Sequence, residues 1–115
     1  MTFDLPPIIG HRGSAGLAPE NTLAGIRRAH EEGARWVEFD VKLTYDGIPI
    51  LMHDDRLDRT TDGSGNVATI TYDDLQKLDA GAWFAPSFAG ERVPSLKAAL
   101  DLCIELGLGI NVELK

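Results

Sequence analysis

The feature that most restricts this chain is the alternation of short apolar strands with amphipathic helices. Ile8-Ile9-Gly10-His11 reads as a strand, and Leu23, Ile26 and Ala29 then recur at helical spacing over residues 22–32. Trp36-Val37-Glu38-Phe39-Asp40-Val41 alternates strictly, with Val37, Phe39 and Val41 on one face and Glu38 and Asp40 on the other. Asp46-Gly47 is a turn signal before a third strand over residues 48–53, which begins next to Pro49 and ends on His53. Ser95 can cap a last helix striped by Leu96, Ala99, Leu100, Cys103 and Leu106, and Gly107 and Gly109 end it. Ile110-Asn111-Val112-Glu113-Leu114-Lys115 is the final strand. This order predicts an α/β architecture built on a parallel sheet. Three or four strands cannot close an α/β barrel, which needs eight strands and ~250 residues. The expectation is therefore about half of a larger domain, or a half that assembles with another copy.

Length and charge narrow the function. With 115 residues the chain suffices for one small domain with one core. A net charge of -7 argues against non-specific binding to nucleic acid or to an anionic membrane. An anionic ligand must then be held by local groups. The single cysteine excludes an intrachain disulfide framework. No apolar run approaches the ~18 residues of a membrane span. Residues 1–6 lack the basic region and apolar core of a signal peptide, so a cytoplasmic protein is the expectation.

The candidate chemistry lies at the strand ends. Gly10-His11-Arg12-Gly13 sits where the first strand hands over to a helix, the edge of an α/β sheet where ligands bind. His11 and His53 both close apolar strands. In a parallel sheet they would face one crevice, a pairing suited to acid and base work near neutral pH. Glu38 with Asp40, and Glu113 with Lys115, are i, i+2 pairs on one face of otherwise apolar strands. Buried carboxylates are costly unless paired or bound to metal. Oxygen donors from Glu38, Asp40 and Glu113 would suit Mg²⁺ or Ca²⁺. The same alternation also fits the solvent-facing side of an open antiparallel sheet. Arg12 and Lys115 can bind phosphate oxygens, or simply pair with nearby carboxylates.

Other residues read as structure. Residues 54–65 are polar and turn-rich; Thr71-Tyr72-Asp73-Asp74 is a capping pattern opening a short helix with Leu75 and Leu78. Residues 79–94 are irregular, with Trp83, Phe84 and Phe88 as anchors. His30 reads as a solvated helix residue and Cys103 as core. Asp62-Gly63-Ser64-Gly65-Asn66 superficially suggests a calcium loop, but Val67 stands where the sixth-position glycine belongs and Asp73 at the twelfth, which rejects an EF-hand.

Taken in order, these segments resemble the glycerophosphodiester phosphodiesterase family, in the flavour of its bacterial cytosolic members. The matching stretches are His11-Arg12-Gly13, Pro19-Glu20-Asn21-Thr22, Glu38-Phe39-Asp40-Val41, Asp46-Gly47, His53-Asp54, residues 57–65, Val93-Pro94-Ser95-Leu96 and Glu113-Leu114-Lys115. The resemblance implies a (β/α)₈ TIM-barrel fold, here only its N-terminal half, with residues 54–94 supplying part of a small insertion. It implies hydrolysis of glycerophosphodiesters, the small-molecule substrate, to glycerol 3-phosphate and an alcohol. It implies a divalent cation, Mg²⁺ or Ca²⁺, on Glu38, Asp40 and Glu113, with His11 and His53 as acid and base and Arg12 and Lys115 as phosphate contacts. Alternatives are a non-catalytic half-barrel that binds or self-associates, and another barrel enzyme such as an aldolase or a sphingomyelinase D-like lyase. The 11–22 motif with His53 disfavours the aldolase and discriminates poorly against the lyase.

Overall fold

The computed structural model describes residues 9–11 and 16–115. The elements are β1 (Ile9–His11), α1 (Leu23–Glu31), β2 (Trp36–Leu43), β3 (Pro49–Leu51), α2 (Tyr72–Leu75), α3 (Leu96–Leu106) and β4 (Gly109–Leu114). Single 3-10 turns lie at Val67–Thr69 and Pro86–Phe88.

β2 is the spine of a four-stranded sheet. β4 runs parallel to it, from Trp36 opposite Gly109 to Val41 opposite Leu114. β1 pairs with the start of β2, parallel, with His11 opposite Glu38. β3 pairs with its far end, Val41 opposite Leu51, and is antiparallel. The sheet is therefore mixed, where the strand and helix order predicts a parallel one. The connection explains the difference. Only residues 44–48 join β2 to β3, whereas a parallel neighbour needs a crossover of a dozen or more residues. The Asp46-Gly47 signal is this hairpin turn. Gly47 has φ 80°, a region other residues enter at a cost. The Thr44 Oγ1 accepts from the Ile48 N–H at 3.0 Å and donates to Asp46 at 2.6 Å.

The helices cover one face of the sheet. Thr22 caps α1, its Oγ1 accepting from the Gly25 N–H at 3.0 Å while donating to the Pro19 carbonyl at 2.7 Å. Ser95 caps α3 through the Ala98 N–H, and Gly107 ends it in the left-handed region. Ile26, Ala29, Ala99, Leu102 and Cys103 from these helices pack on Val37, Phe39, Val41 and Leu51. Phe39 is fully buried, so truncation to alanine costs about 3–5 kcal/mol. Cys103 is core, and burial pushes its thiol up to about 11.

A second apolar cluster lies under the 54–94 excursion, where one core is expected from length alone. Ile50 and Met52 pack there with Leu57, Val67, Leu75, Ala80 and Val93. Successive residues of β3 thus serve different clusters, Leu51 one and Ile50 the other. Trp83, Phe84 and Phe88 form two edge-to-face ring pairs at 5.7 and 5.6 Å. Asp79 gathers this region: its carboxylate accepts from the Ala82, Gly90 and Gly81 N–H groups, which hold it down at about 2. No helix among the described residues is long and apolar enough to cross a membrane.

Candidate active site

The two strands that share one edge of β2 run toward each other. β1 ends at His11 opposite Glu38, and just past β3 the Met52 N–H donates to the Asp40 carbonyl at 3.0 Å. Both histidine-bearing strand ends therefore arrive beside Glu38 and Asp40, by one parallel and one antiparallel approach. On the other edge Asn111 stands opposite Glu38 and Glu113 opposite Asp40. Glu38, Asp40, Asn111 and Glu113 share the face away from the helices, because side chains alternate along each strand.

The carboxylates sit in unequal surroundings. Asp40 is 4% exposed, Glu38 is half-buried and Glu113 is exposed. Asn21 brackets Asp40: its Nδ2 donates to the Asp40 Oδ2, and its Oδ1 accepts from the Asp40 N–H, both at 3.2 Å. Asn21 adopts φ 54°, the left-handed region that costs a non-glycine residue about 1 kcal/mol or more. Glu38 accepts from the Asn111 Nδ2 at 3.3 Å. Glu113 pairs with the Lys115 Nζ at 3.4 Å. Among the described residues, no three His, Cys, Asp or Glu side chains stand close enough together to hold a metal ion.

His53 belongs to a connected set of charged groups. Its Nδ1 lies 2.8 Å from the Asp54 Oδ1. Arg59 reaches Asp54 through Nε at 2.8 Å and Nη2 at 2.9 Å, and Glu20 through Nη1 at 2.9 Å and Nη2 at 2.8 Å. Asp54 is held well below the usual carboxylate range, chiefly by the Arg59 hydrogen bond and then by His53. The Arg59 guanidinium is raised in turn by Asp54 and Glu20. An ionised Asp54 can only accept, so the His53 Nδ1 carries the hydrogen and Nε2 is the nitrogen able to exchange protons with a reactant.

Local folding explains the aim of Arg59. Leu57 is buried and its N–H donates to the Gly65 carbonyl at 2.8 Å. The Thr61 Oγ1 returns to the Leu57 carbonyl at 2.7 Å, and Thr60 and Thr61 are both buried. With the turn pinned on both sides of it, Arg59 extends toward Asp54.

The residues expected from sequence are thus distributed as follows. Glu38, Asp40, Glu113 and Lys115 share one face near the strand ends, and His53 stands beside them in the fold. The side chain of His11 and all of Arg12 lie outside the described residues. Sequence reasoning assigned no role to Asn21, Glu20 or Arg59, and noted Asp54 only as the neighbour of His53. Glu20 and Asn21 stood in a matched motif, and their burial (8% and 4% exposed) marks them as more than surface polar residues. Glu20, Asn21 and His53 line a narrow cleft. A wider depression of about 670 Å³ opens beside the ends of β2 and β4, lined in part by Lys42, Asp55, Val67, Leu114 and Lys115. Lys42 donates to Asp55 at 2.9 Å and lies 3.4 Å from the Lys115 carbonyl.

The family model described as the glycerophosphoryl diester phosphodiesterase family matches residues 11–115. This chain belongs to that family. It is 50% identical over 108 residues to YhdW of Bacillus subtilis (strain 168), covering 94% of this chain and 44% of that protein. A glycerophosphodiester phosphodiesterase of Caldanaerobacter subterraneus is 44% identical over 108 residues, with the same coverages of 94% and 44%. An Oleispira antarctica phosphodiesterase, solved with the product sn-glycerol-3-phosphate, superposes with a TM-score of 0.93 at 48% identity, covering 96% of this chain and 45% of that one. The chain spans about half the length of the relatives it matches, and its fold corresponds to part of their barrel.

Proposed function

We propose that this chain supplies the N-terminal half of an enzyme that hydrolyses glycerophosphodiesters to glycerol 3-phosphate and an alcohol. The observation that carries the proposal is the meeting of two histidine-bearing strand ends beside Glu38 and Asp40, in a chain of this family. His11 and His53 act as acid and base. The substrate's own glycerol hydroxyl attacks phosphorus; one histidine takes its proton while the other protonates the departing alcohol oxygen. Water then opens the cyclic ester to glycerol 3-phosphate. His53 works through Nε2, because Asp54 occupies Nδ1. Arg12 binds phosphate oxygens in its fork and Lys115 as a point charge.

Glu38, Asp40 and Glu113 would hold a divalent cation, Mg²⁺ or Ca²⁺. The donor type supports this, three carboxylates on one sheet face with Asp40 and Glu113 directly opposite in register, but their side chains are not gathered around a common point in this structure and would have to converge on the ion. Such a cation supplies positive charge to the phosphoryl oxygens as charge builds there. Asn21 fixes the orientation of Asp40, while Lys115 occupies Glu113 until a stronger cation competes.

The test is release of glycerol 3-phosphate from glycerophosphocholine by the full-length protein, with Mg²⁺ or Ca²⁺ and after chelation. Replacing both His11 and His53 by alanine should cut turnover by about 10²-fold or more. Retained turnover in that double variant overturns the mechanism.

A further inference from the structure

We propose that Arg59 is a positioning residue for His53: braced by Glu20, it holds Asp54 in the orientation that fixes the His53 imidazole with Nδ1 as donor and Nε2 turned to chemistry. The consequence for catalysis rests on the phosphodiesterase reading, while the geometry stands without it.

Arg59 makes four hydrogen bonds to two carboxylates, using its Nε and Nη2 edge on Asp54 and its Nη1 and Nη2 edge on Glu20. A guanidinium engaged on two edges cannot rotate about its own axis without breaking bonds. Asp54 is thereby set in position and plane, and its Oδ1 takes both the Arg59 Nη2 and the His53 Nδ1.

Stability alone is a poor explanation for this arrangement. The Arg59 side chain is 45% exposed and Asp54 28%, and exposed ion pairs contribute little to stability. What the fork supplies is direction. The brace at the other end is firmer, since Glu20 is 8% exposed and adjoins Asn21, the residue that brackets Asp40. A single turn, Glu20-Asn21, thus holds the acid–base group through Arg59 and a carboxylate of the sheet face directly. Groups of this kind, one step removed from the reacting atoms, typically alter activity 10–100-fold, on the order of their effect in metal sites.

The experiment uses the full-length protein with Arg59→Ala, Arg59→Lys and Glu20→Gln variants and two readouts. The first is the ¹⁵N chemical shifts of the neutral His53 ring. Wild type should show the Nδ1–H tautomer, and Arg59→Ala should shift toward the Nε2–H form that free imidazole prefers. The second is glycerophosphocholine turnover. Arg59→Ala should lower kcat by about 10-fold or more with KM changed less than about threefold. Arg59→Lys, which keeps the charge and loses the fork, should recover less than half of that loss, and added guanidinium ion should restore part of the Arg59→Ala activity. Unchanged ring shifts in the Arg59 variants overturn the proposal, whatever the turnover. Shifts that change while kcat stays within twofold overturn its catalytic consequence. Wild type that shows no turnover overturns the phosphodiesterase reading, and the ring shifts then still decide the role of Arg59. Should Arg59→Ala fail to fold, Arg59→Lys and Glu20→Gln carry both readouts.

Discussion

The two edges of β2 prepare their functional groups differently. Along the β1 and β3 edge, Asp40 is bracketed by Asn21, and His53 is tied through Asp54 and Arg59 to Glu20. Along the β4 edge, Glu113 and Lys115 are exposed and paired only loosely, at 3.4 Å. The first edge has the 54–94 excursion and the 16–22 turn folded against it; along the second, Glu113 and Leu114 take their places from strand pairing with Asp40 and Val41. Preorganisation follows packing. A side chain is fixed when a neighbouring segment brings it partners, and strand pairing alone aligns backbones without orienting the side chains they carry.

Substitutions can break or sharpen this contrast. The largest effect on stability is expected at Asn21. Asn21→Ala removes both hydrogen bonds to buried Asp40 and keeps a side chain at φ 54°, for a loss of about 3 kcal/mol in urea denaturation. Asn21→Gly should recover about 1 kcal/mol of it by relieving the backbone. A loss under about 1 kcal/mol for Asn21→Ala would erase the distinction between the edges.

Glu20→Ala comes next, at about 1 kcal/mol, discounted because the Arg59 partner is substantially exposed. Its signature is not the size but the accompanying change at His53. A loss of stability with the His53 ring shifts untouched would mean that the brace ends at Arg59.

Asp79 tests the excursion that carries Asp54 and Arg59. Its pKa is lowered from the ordinary 3.8 to about 2 by backbone N–H groups, so the native state holds the proton less tightly than the unfolded chain. Its contribution is complete above pH 3.8 and is lost as pH falls toward 2. Asp79→Asn should therefore lower the melting temperature at neutral pH and flatten its fall across that acid window. An unchanged acid slope would remove Asp79 as the anchor of the excursion.

The smallest stability change is expected at Glu113. Glu113→Gln should alter stability by less than about 0.5 kcal/mol, since exposed pairs contribute little. The same substitution should weaken divalent-cation binding at least tenfold in calorimetry of the full-length protein, since it removes one of three charged donors. Large destabilisation with unchanged cation affinity would reverse the roles assigned to the two edges.

Much of this was legible in the chain. Periodicity placed α1, α3, β2 and β4 within a residue or two of their observed bounds, and Thr71 and Ser95 were readable as caps. The i, i+2 spacing of Glu38 and Asp40 put them on the face opposite Val37 and Phe39, which local alternation dictates. The antiparallel course of β3 was also implicit in a connection too short for a crossover, although the strand and helix order argued for a parallel sheet. Less legible was the second apolar cluster, because Leu57, Val67, Leu75 and Val93 follow no regular period.

What the sequence determined alone is the set of groups and their places along local elements: a histidine at the end of a strand, two carboxylates on one face, a Glu-Asn pair before a helix. Only the tertiary structure decided which of them meet. Arg59 reaches Glu20 across 39 positions, and Asn21 reaches Asp40 across 19. No periodicity encodes such pairs. They exist because the sheet register and the burial of Leu57, Thr60 and Thr61 bring distant segments together, after which hydrogen-bonding geometry selects the partners.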